Sequence, residues 1–186
     1  QPGPPLGDMP EVWLLGSSDY SAQLAAALGL PFAFADFFGH TSDHGPLIAE
    51  IYRSQFKPSG YLKTPKLNVA LQVVCADTED RAKFLASSRR TARIRQSDPN
   101  NRIGGMTPPE EASAYDLNAE ERKIVEQFSA GFIVGDPDQV RQGIIEASDR
   151  YGTKDLAIVT NVFYFNERLR SYELVANAMT DRLDKS

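Results

Sequence analysis

At 186 residues, with 41% hydrophobic and 24% charged side chains, the chain has room for one sizeable core and too little for two comfortable domains. A net charge of −5 supplies no basic field for nucleic acid or an anionic membrane, and no apolar run reaches the roughly 18 residues of a membrane-spanning helix. The lone cysteine, Cys75, excludes an internal disulfide and a cysteine-based metal cluster.

Residues 1–10 hold four prolines and two glycines and read as an extended lead-in. No signal peptide is recognisable, so a cytoplasmic location is expected. The start at Gln1, without methionine, leads to the expectation that a segment upstream is missing. Val12-Trp13-Leu14-Leu15 is a short apolar run, the pattern of a parallel strand buried on both faces, expected over 11–16. Gly16-Ser17-Ser18 interrupts it, and Tyr20–Leu28 reads as helix, with Gly29 to cap its end and Pro31 to stop it. Strand, small polar turn and helix aim backbone N–H groups and a positive helix end at one point, which suits a phosphate. The same residues serve equally as a plain serine N-cap, worth about 1 kcal/mol.

Pro31 to Phe38 reads as a second buried strand, expected over 31–36. Residues 39–45 are a loop carrying His40, Asp43 and His44, and Pro46 opens a helix striped by Leu47, Ile48, Ile51, Tyr52 and Phe56. Leu67, Val69, Leu71 and Val73 alternate with Asn68, Ala70, Gln72 and Val74, a third strand whose second face is partly polar. Asp77 and Thr78 cap the next helix, through roughly Arg95, on which Arg89, Arg90, Arg93 and Arg95 read as a solvated face. Gln96–Leu117, with SDPNNR, GGM and TPPEE in succession, reads as a long mobile loop, and loops of that length inside compact domains are usually functional. Asn118 with Glu121, and Asp136 with Gln139, are capping boxes that open two further helices, the second stopping at Gly152. Leu156–Val159 is a fourth strand, within 155–160, and Asn166 starts the last helix.

The alternation is strand–helix four times over, with a large insertion between the third and fourth strands. It predicts a single α/β domain whose parallel strands are adjacent in sequence order, with helices on one side. No GxGxxG follows any strand, which disfavours a dinucleotide fold. Four such units are half of an eight-stranded barrel, and half a barrel leaves two edge strands unpaired and an apolar inner face in water. The chain is therefore expected not to fold as a lone monomer, but to pair with a second copy or to stay bound to an amino-terminal fragment.

EVWLLGSSDYSAQLAAALGLPFAFADFF resembles the segment around the fifth and sixth strands of the bacterial luciferase-like flavin monooxygenases. VALQVVCADTEDRAKFLASS, FIVGDPDQVRQGI and NERLRSYELVANAM continue the resemblance in order along the chain. It implies the carboxyl-terminal half of a (β/α)₈ barrel. It further implies reduced FMN as cosubstrate, dioxygen activated on it, a small organic substrate, no metal, and a flavin reductase as a partner. The flavin phosphate contacts carry over to Leu15, Gly16, Ser17 and Ser18. Many relatives carry histidine where this chain has Phe37, which leaves a polar contact there without its counterpart.

His40 lies just past the carboxyl end of a strand, where barrel enzymes place their sites, so contact with flavin or substrate is expected. Two histidines and Asp43 could also ligate a metal, although nothing in the pattern makes them converge. Phe37 and Phe38, with Phe34, wall a substrate pocket or fill the core. Asn68 and Gln72 read as structural, Cys75 as a small buried hydrophobe, and the RLRSY motif as helix packing. The GSS turn lacks the glycine that a nucleophile elbow wants after its serine. The reading is the carboxyl half of an FMN-dependent monooxygenase, its pocket shaped by Phe37, Phe38, His40 and the 96–117 lid. The alternatives are a catalytically incomplete flavin-binding or assembly module, and a sugar-phosphate barrel enzyme using Asp36 or Asp77.

Overall fold

The computed structural model describes residues 10–38, 43–97 and 105–180. Five parallel strands form one sheet: β1 (Leu14–Gly16), β2 (Phe32–Ala35), β3 (Leu67–Cys75), β4 (Ile133–Gly135) and β5 (Leu156–Val159). Between them run α1 (Asp19–Leu28), α2 (Gly45–Gln55), α3 (Glu79–Ser97), α4 (Pro109–Ala114), α5 (Ala119–Ser129) and α6 (Pro137–Tyr151), with α7 (Phe165–Thr180) after β5. β3 is the hub. It pairs β2 from Leu67 opposite Phe32, β5 from Val69 opposite Leu156, and β4 from Val73 opposite Ile133.

The alternation in β3 decides where the core lies. Leu67, Val69, Leu71, Val73 and Cys75 point to the helix layer, where they meet Ala22, Ala25 and Ala26 of α1 and Ile48, Ala49 and Tyr52 of α2. Val140, Ile144 and Tyr151 of α6 and Leu174 and Val175 of α7 complete that core. Three of the helices begin at the expected side-chain caps, and two of them end at the expected glycines. Ser18, Asn118 and Asp136 are N-caps in reciprocal capping boxes, and Gly29 and Gly152 close α1 and α6 at φ 63° and 60°.

The four expected strands are present, parallel and in the expected neighbourhood, and four features differ. The fifth strand, β4, is three residues long, too short for any periodicity, and is defined by its pairing with Val73–Cys75. β1 starts at Leu14 because its ladder partner starts at Phe32, which leaves Val12 exposed. Asp36–Phe38 forms a 3₁₀ turn rather than the end of β2. The helices are not all on one side: Ala82 and Leu85 of α3 pack on Val74, Ala76 and Val162, at the carboxyl end of the opposite face.

The 96–117 stretch is also more regular than its composition suggests. α3 reaches Ser97, and α4 buries Pro109 and Ala112 against it. The Arg90 guanidinium donates to the Ala112 carbonyl at 3.1 Å, and Ser87 Oγ to that of Pro109 at 3.4 Å. The mobility expected of this stretch falls in part on residues 98–104, outside the described residues.

Among the described residues β1 pairs only with β2 and β5 only with β3. Leu15, on the inner face, is 64% exposed, and every residue of β5 is only half-buried. These are the two open edges expected of half a barrel.

Tyr52 ties the entrances of two strands together. Its hydroxyl lies 2.9 Å from the Leu30 carbonyl and 3.1 Å from that of Lys66, and it accepts the Lys66 N–H at 3.0 Å. Tyr52→Phe leaves the Lys66 amide without that acceptor and is expected to cost about 1–3 kcal/mol. The check is a lower midpoint of urea unfolding at unchanged slope.

Candidate functional site

The carboxyl ends of the strands carry two adjoining hollows. The first, about 360 Å³, lies between α3, α5, β3 and β4, with Val74, Phe128, Phe132 and Val134 among its walls and Gln72 at its floor. The second, about 380 Å³, is lined by Phe37, Phe38, Ala92 and Met106. Arg89, Arg93 and Asn161 border both. Gln72 is 1% exposed; its Oε1 accepts from Asn161 Nδ2 at 3.0 Å, and its Nε2 has no partner among the described residues. A buried amide with one half engaged leaves one donor at the lining of the hollow, open to a water or a ligand.

Arg89 and Arg93 do not form the solvated face expected of them. They stand four residues apart on the side of α3 that crosses the sheet's carboxyl end. Arg89 donates to the Phe37 carbonyl at 2.7 Å and Arg93 to that of Phe38 at 3.1 Å, so α3 clamps the 3₁₀ turn. The two guanidinium groups lie over Phe132 and Phe128, at 4.9 and 4.5 Å from the ring centres. Burial, then the neighbouring Arg93 charge, lowers the Arg89 pKa to about 10, and burial lowers that of Arg93. Among the described residues neither has a carboxylate within ion-pair distance. The clue in the sequence was their four-residue spacing, which puts both on one side of a helix without saying which side.

The turn after β1 shows both of its readings. Ser18 is the N-cap: its Oγ accepts from the Ser21 amide at 3.4 Å, and Ser21 Oγ accepts from the Ser18 amide at 3.2 Å. Ser17 Oγ has no hydrogen-bond partner among the described residues. The first turn of α1 carries Asp19, whose carboxylate takes the Tyr20 N–H at 2.9 Å and opposes an anion there. A Cβ on Gly16 would stand 2.2 Å from Ser21 Oγ and 2.3 Å from Ser21 Cβ. The absence of a side chain at Gly16 is therefore required by packing, whether or not a phosphate comes close.

The remaining candidates are placed as follows. Phe37 and Phe38 face the second hollow, whereas Phe34 is core, its ring 5.8 Å from that of Tyr151. His40 lies outside the described residues, and His44 occupies the N-cap of α2 without a side-chain capping bond. Asp36 is buried, 4.0 Å from the Arg150 guanidinium and facing Tyr151; burial, then the Asp36 charge, pushes that phenol up. Asp77 pairs with Arg170 at 2.7 Å. Both carboxylates are engaged with helix residues, which weakens the sugar-phosphate alternative. Asn68 Nδ2 donates to Asp155 at 2.7 Å. Ser171 Oγ accepts from the Cys75 amide at 2.9 Å and Tyr172 Oη from that of Thr160 at 3.2 Å, so the RLRSY motif anchors α7 to the strand ends. Among the described residues no group of three or more His, Cys, Asp or Glu side chains is arranged to hold a metal. No described helix is long and apolar enough to cross a membrane.

Two outcomes follow from this geometry. Gly16→Val is expected to destabilise the protein by about 1–3 kcal/mol through overpacking, in the absence of any flavin, as a fall in the thermal midpoint. Burial, then the Asp136 and Asp77 charges, pushes the Cys75 thiol up to about 11, so it is neutral at ordinary pH. Because the folded value lies above the unfolded one, near 8.5, Cys75 contributes stability below that pH and loses it as pH rises toward 11. Iodoacetamide at pH 8 is expected to label Cys75 in denaturant and not in the native protein, by intact mass.

The family described as luciferase-like monooxygenase matches residues 1–154. A luciferase-like monooxygenase of Escherichia coli (strain K12) is 34% identical over 183 residues, 98% of this chain and 53% of that protein. The crystal structure of apo-MsnO8 superimposes with a TM-score of 0.83 at 31% identity, over 95% of this chain and 52% of the other. The fold is also that of the oxygenating constituent of 3,6-diketocamphane monooxygenase from Pseudomonas putida, solved with FMN, at a TM-score of 0.61 and 24% identity. That alignment takes in 93% of this chain and 49% of its counterpart. The chain spans about half the length of the curated relatives it matches. With the parallel half-barrel sheet and the hollows at its carboxyl end, these matches place the chain in the luciferase-like monooxygenase family.

Proposed function

We propose that the chain supplies the carboxyl-side half of the active site of a monooxygenase that uses reduced FMN and dioxygen to oxidise a small organic substrate. Family membership carries this reading, and the geometry agrees with it. Bound flavin would supply the two electrons and the activated oxygen. The chain's own part is to bind and shield. Ser17 Oγ and the positive end of α1 hold the phosphate at the end of Leu15–Gly16–Ser17–Ser18, where a hydroxyl is unengaged among the described residues and a helix begins. Phe37 and Phe38 wall the adjoining hollow and keep water from the reacting centre, with His40 two residues further along the sequence. The 105–117 part of the insertion holds α3 in place over the strand ends. A reductase supplies the reduced flavin. The partner that completes the barrel is an amino-terminal segment or a second copy, seated on the open edges at β1 and β5.

A second reading, a flavin-binding or assembly module without turnover, is favoured by those open edges. Absorbance near 450 nm on adding FMN tests flavin binding, and flavin-dependent oxygen consumption separates enzyme from module. Ser17→Asp sets a carboxylate beside the phosphate. It is expected to weaken FMN at least tenfold, about 1.4 kcal/mol, and to leave riboflavin binding unchanged. Equal losses for both flavins would return the turn to a helix cap alone.

A further inference from the structure

The 360 Å³ hollow has an unusual balance of donors and acceptors. Among the described residues four cationic side chains line it, Lys83, Arg89, Arg90 and Arg93, and no carboxylate does. Lys83 is neutralised by Glu79 at 2.6 Å, whereas Arg90 donates to the neutral Ala112 carbonyl and keeps a buried Nε with no partner among the described residues. Arg89 and Arg93 are satisfied only by neutral carbonyl, amide and ring partners, and Arg89 Nε is buried with no partner among the described residues. The deeply buried Gln72 Nε2 is a further donor without an acceptor among the described residues. The oxygen of the same amide, Oε1, accepts from Asn161 and holds the group in this orientation. Two positive charges four residues apart on one helix repel, and burying them in an apolar setting costs more unless an anion joins them. Val74, Val125, Phe128, Phe132 and Val134 give the rest of the wall an apolar character, interrupted by Ser87, Ser129 and Asn161.

We infer that this cavity receives the anionic end of the substrate, a carboxylate or sulfonate on an apolar body, with Arg89 and Arg93 as counter-charges and Gln72 Nε2 as neutral donor. The inference names the substrate class for the oxygenase reading and rests on it. The cavity is large enough for a small organic acid, within the usual range of about 300–1,000 Å³ for ligand pockets. Guanidinium planes, already held by carbonyls and stacked on phenyl rings, present their remaining N–H groups in fixed directions, which favours a planar or tripodal anion. The anion could instead belong to the phosphate of the flavin. That phosphate is assigned above to the turn after β1, two strands from β3, or roughly 10 Å across the sheet.

Octanoate and octanamide have nearly the same shape and differ in charge, so calorimetric titration of each into the full chain tests the inference without a mutation. Octanoate is expected to bind at least tenfold more tightly. Arg93→Gln is expected to abolish that preference while octanamide binding stays, Arg93→Lys to restore part of it, and Gln72→Leu to lower it. Circular dichroism confirms that each variant folds, and if Arg93→Gln does not, the wild-type ratio and Gln72→Leu still decide. Equal affinity for the two ligands, binding of neither at millimolar concentration, or a preference indifferent to both Arg93→Gln and Gln72→Leu would overturn the inference. So would displacement of octanoate by FMN and by inorganic phosphate but not by riboflavin, which assigns the anion site to the cofactor. A chain that takes octanoate and no FMN keeps the anion pocket and loses the flavin reading. One that takes FMN and no octanoate does the reverse.

Discussion

Among the described residues β3 alone pairs with three strands, and much of the structure follows from its nine residues. A parallel strand with helices on one face and a site on the other must carry two different alternating sets. Leu67, Val69, Leu71, Val73 and Cys75 are buried in the main core, so the register with β2 and β5 cannot slip by one without turning that set inside out. The opposite set holds Asn68, Ala70, Gln72 and Val74. Fixing the first set therefore places Gln72 on the inner face, near the carboxyl end, where its amide meets the cavity. Packing on one face thus places the chemistry on the other.

The insertion after β3 is bound to the sheet by polar contacts as well as by apolar ones. Ala82 and Leu85 anchor the start of α3 on Val74, and further along Arg89 and Arg93 grip the carbonyls of Phe37 and Phe38. A 3₁₀ turn exposes carbonyls that a continuing strand would spend on its ladder, so its formation at Asp36–Phe38 supplies acceptors for the helix. Arginine suits this use because its planar fork can hold a carbonyl on one edge and face a ligand with another. One pair of side chains thus joins the lining of the hollow to the segment that carries Phe37 and Phe38.

Much of this was legible in the sequence. Apolar runs located β2, β3 and β5. Capping boxes at Asn118 and Asp136 fixed two helix starts to the residue, because a cap is a local interaction that does not depend on the fold. What could not be read was everything decided by distant partners. β4 has three residues and exists only through Val73–Cys75. α4 is six residues in a proline-rich stretch, held by Arg90 and Ser87 of α3, each 22 residues before the carbonyl it reaches. The arginines of α3 have a helical period that gives no direction, so a solvated face and a cavity wall have the same spelling. Gly16 invited a phosphate-cradle reading on its own, yet the atom that excludes a side chain there is Ser21 Oγ. The candidate site was thus half visible: the turn, Phe37 and Phe38 by motif, but not Arg89, Arg93 and Asn161.

The two halves of the proposed site stand differently toward the open edges. The anion cavity is enclosed by β3, β4, α3 and α5, with Asn161 from the end of β5, and its walls are packed on one another within this chain. The turn after β1 lies on a strand with one neighbour, beside a Leu15 that is 64% exposed. An apolar side chain facing water on the inner face gains from any segment that covers it, at about 25 cal/mol per Å² buried. Covering β1 would also remove water from around Ser17, which would strengthen the phosphate contact proposed there. On the proposed reading, flavin affinity would be coupled to closure of the barrel, while the hollow beside Gln72 is built within this chain by β3, β4, α3, α5 and Asn161. The two proposed sites would then rest on separate parts of one chain, the anion pocket on contacts within the fold described and the flavin site on what covers β1.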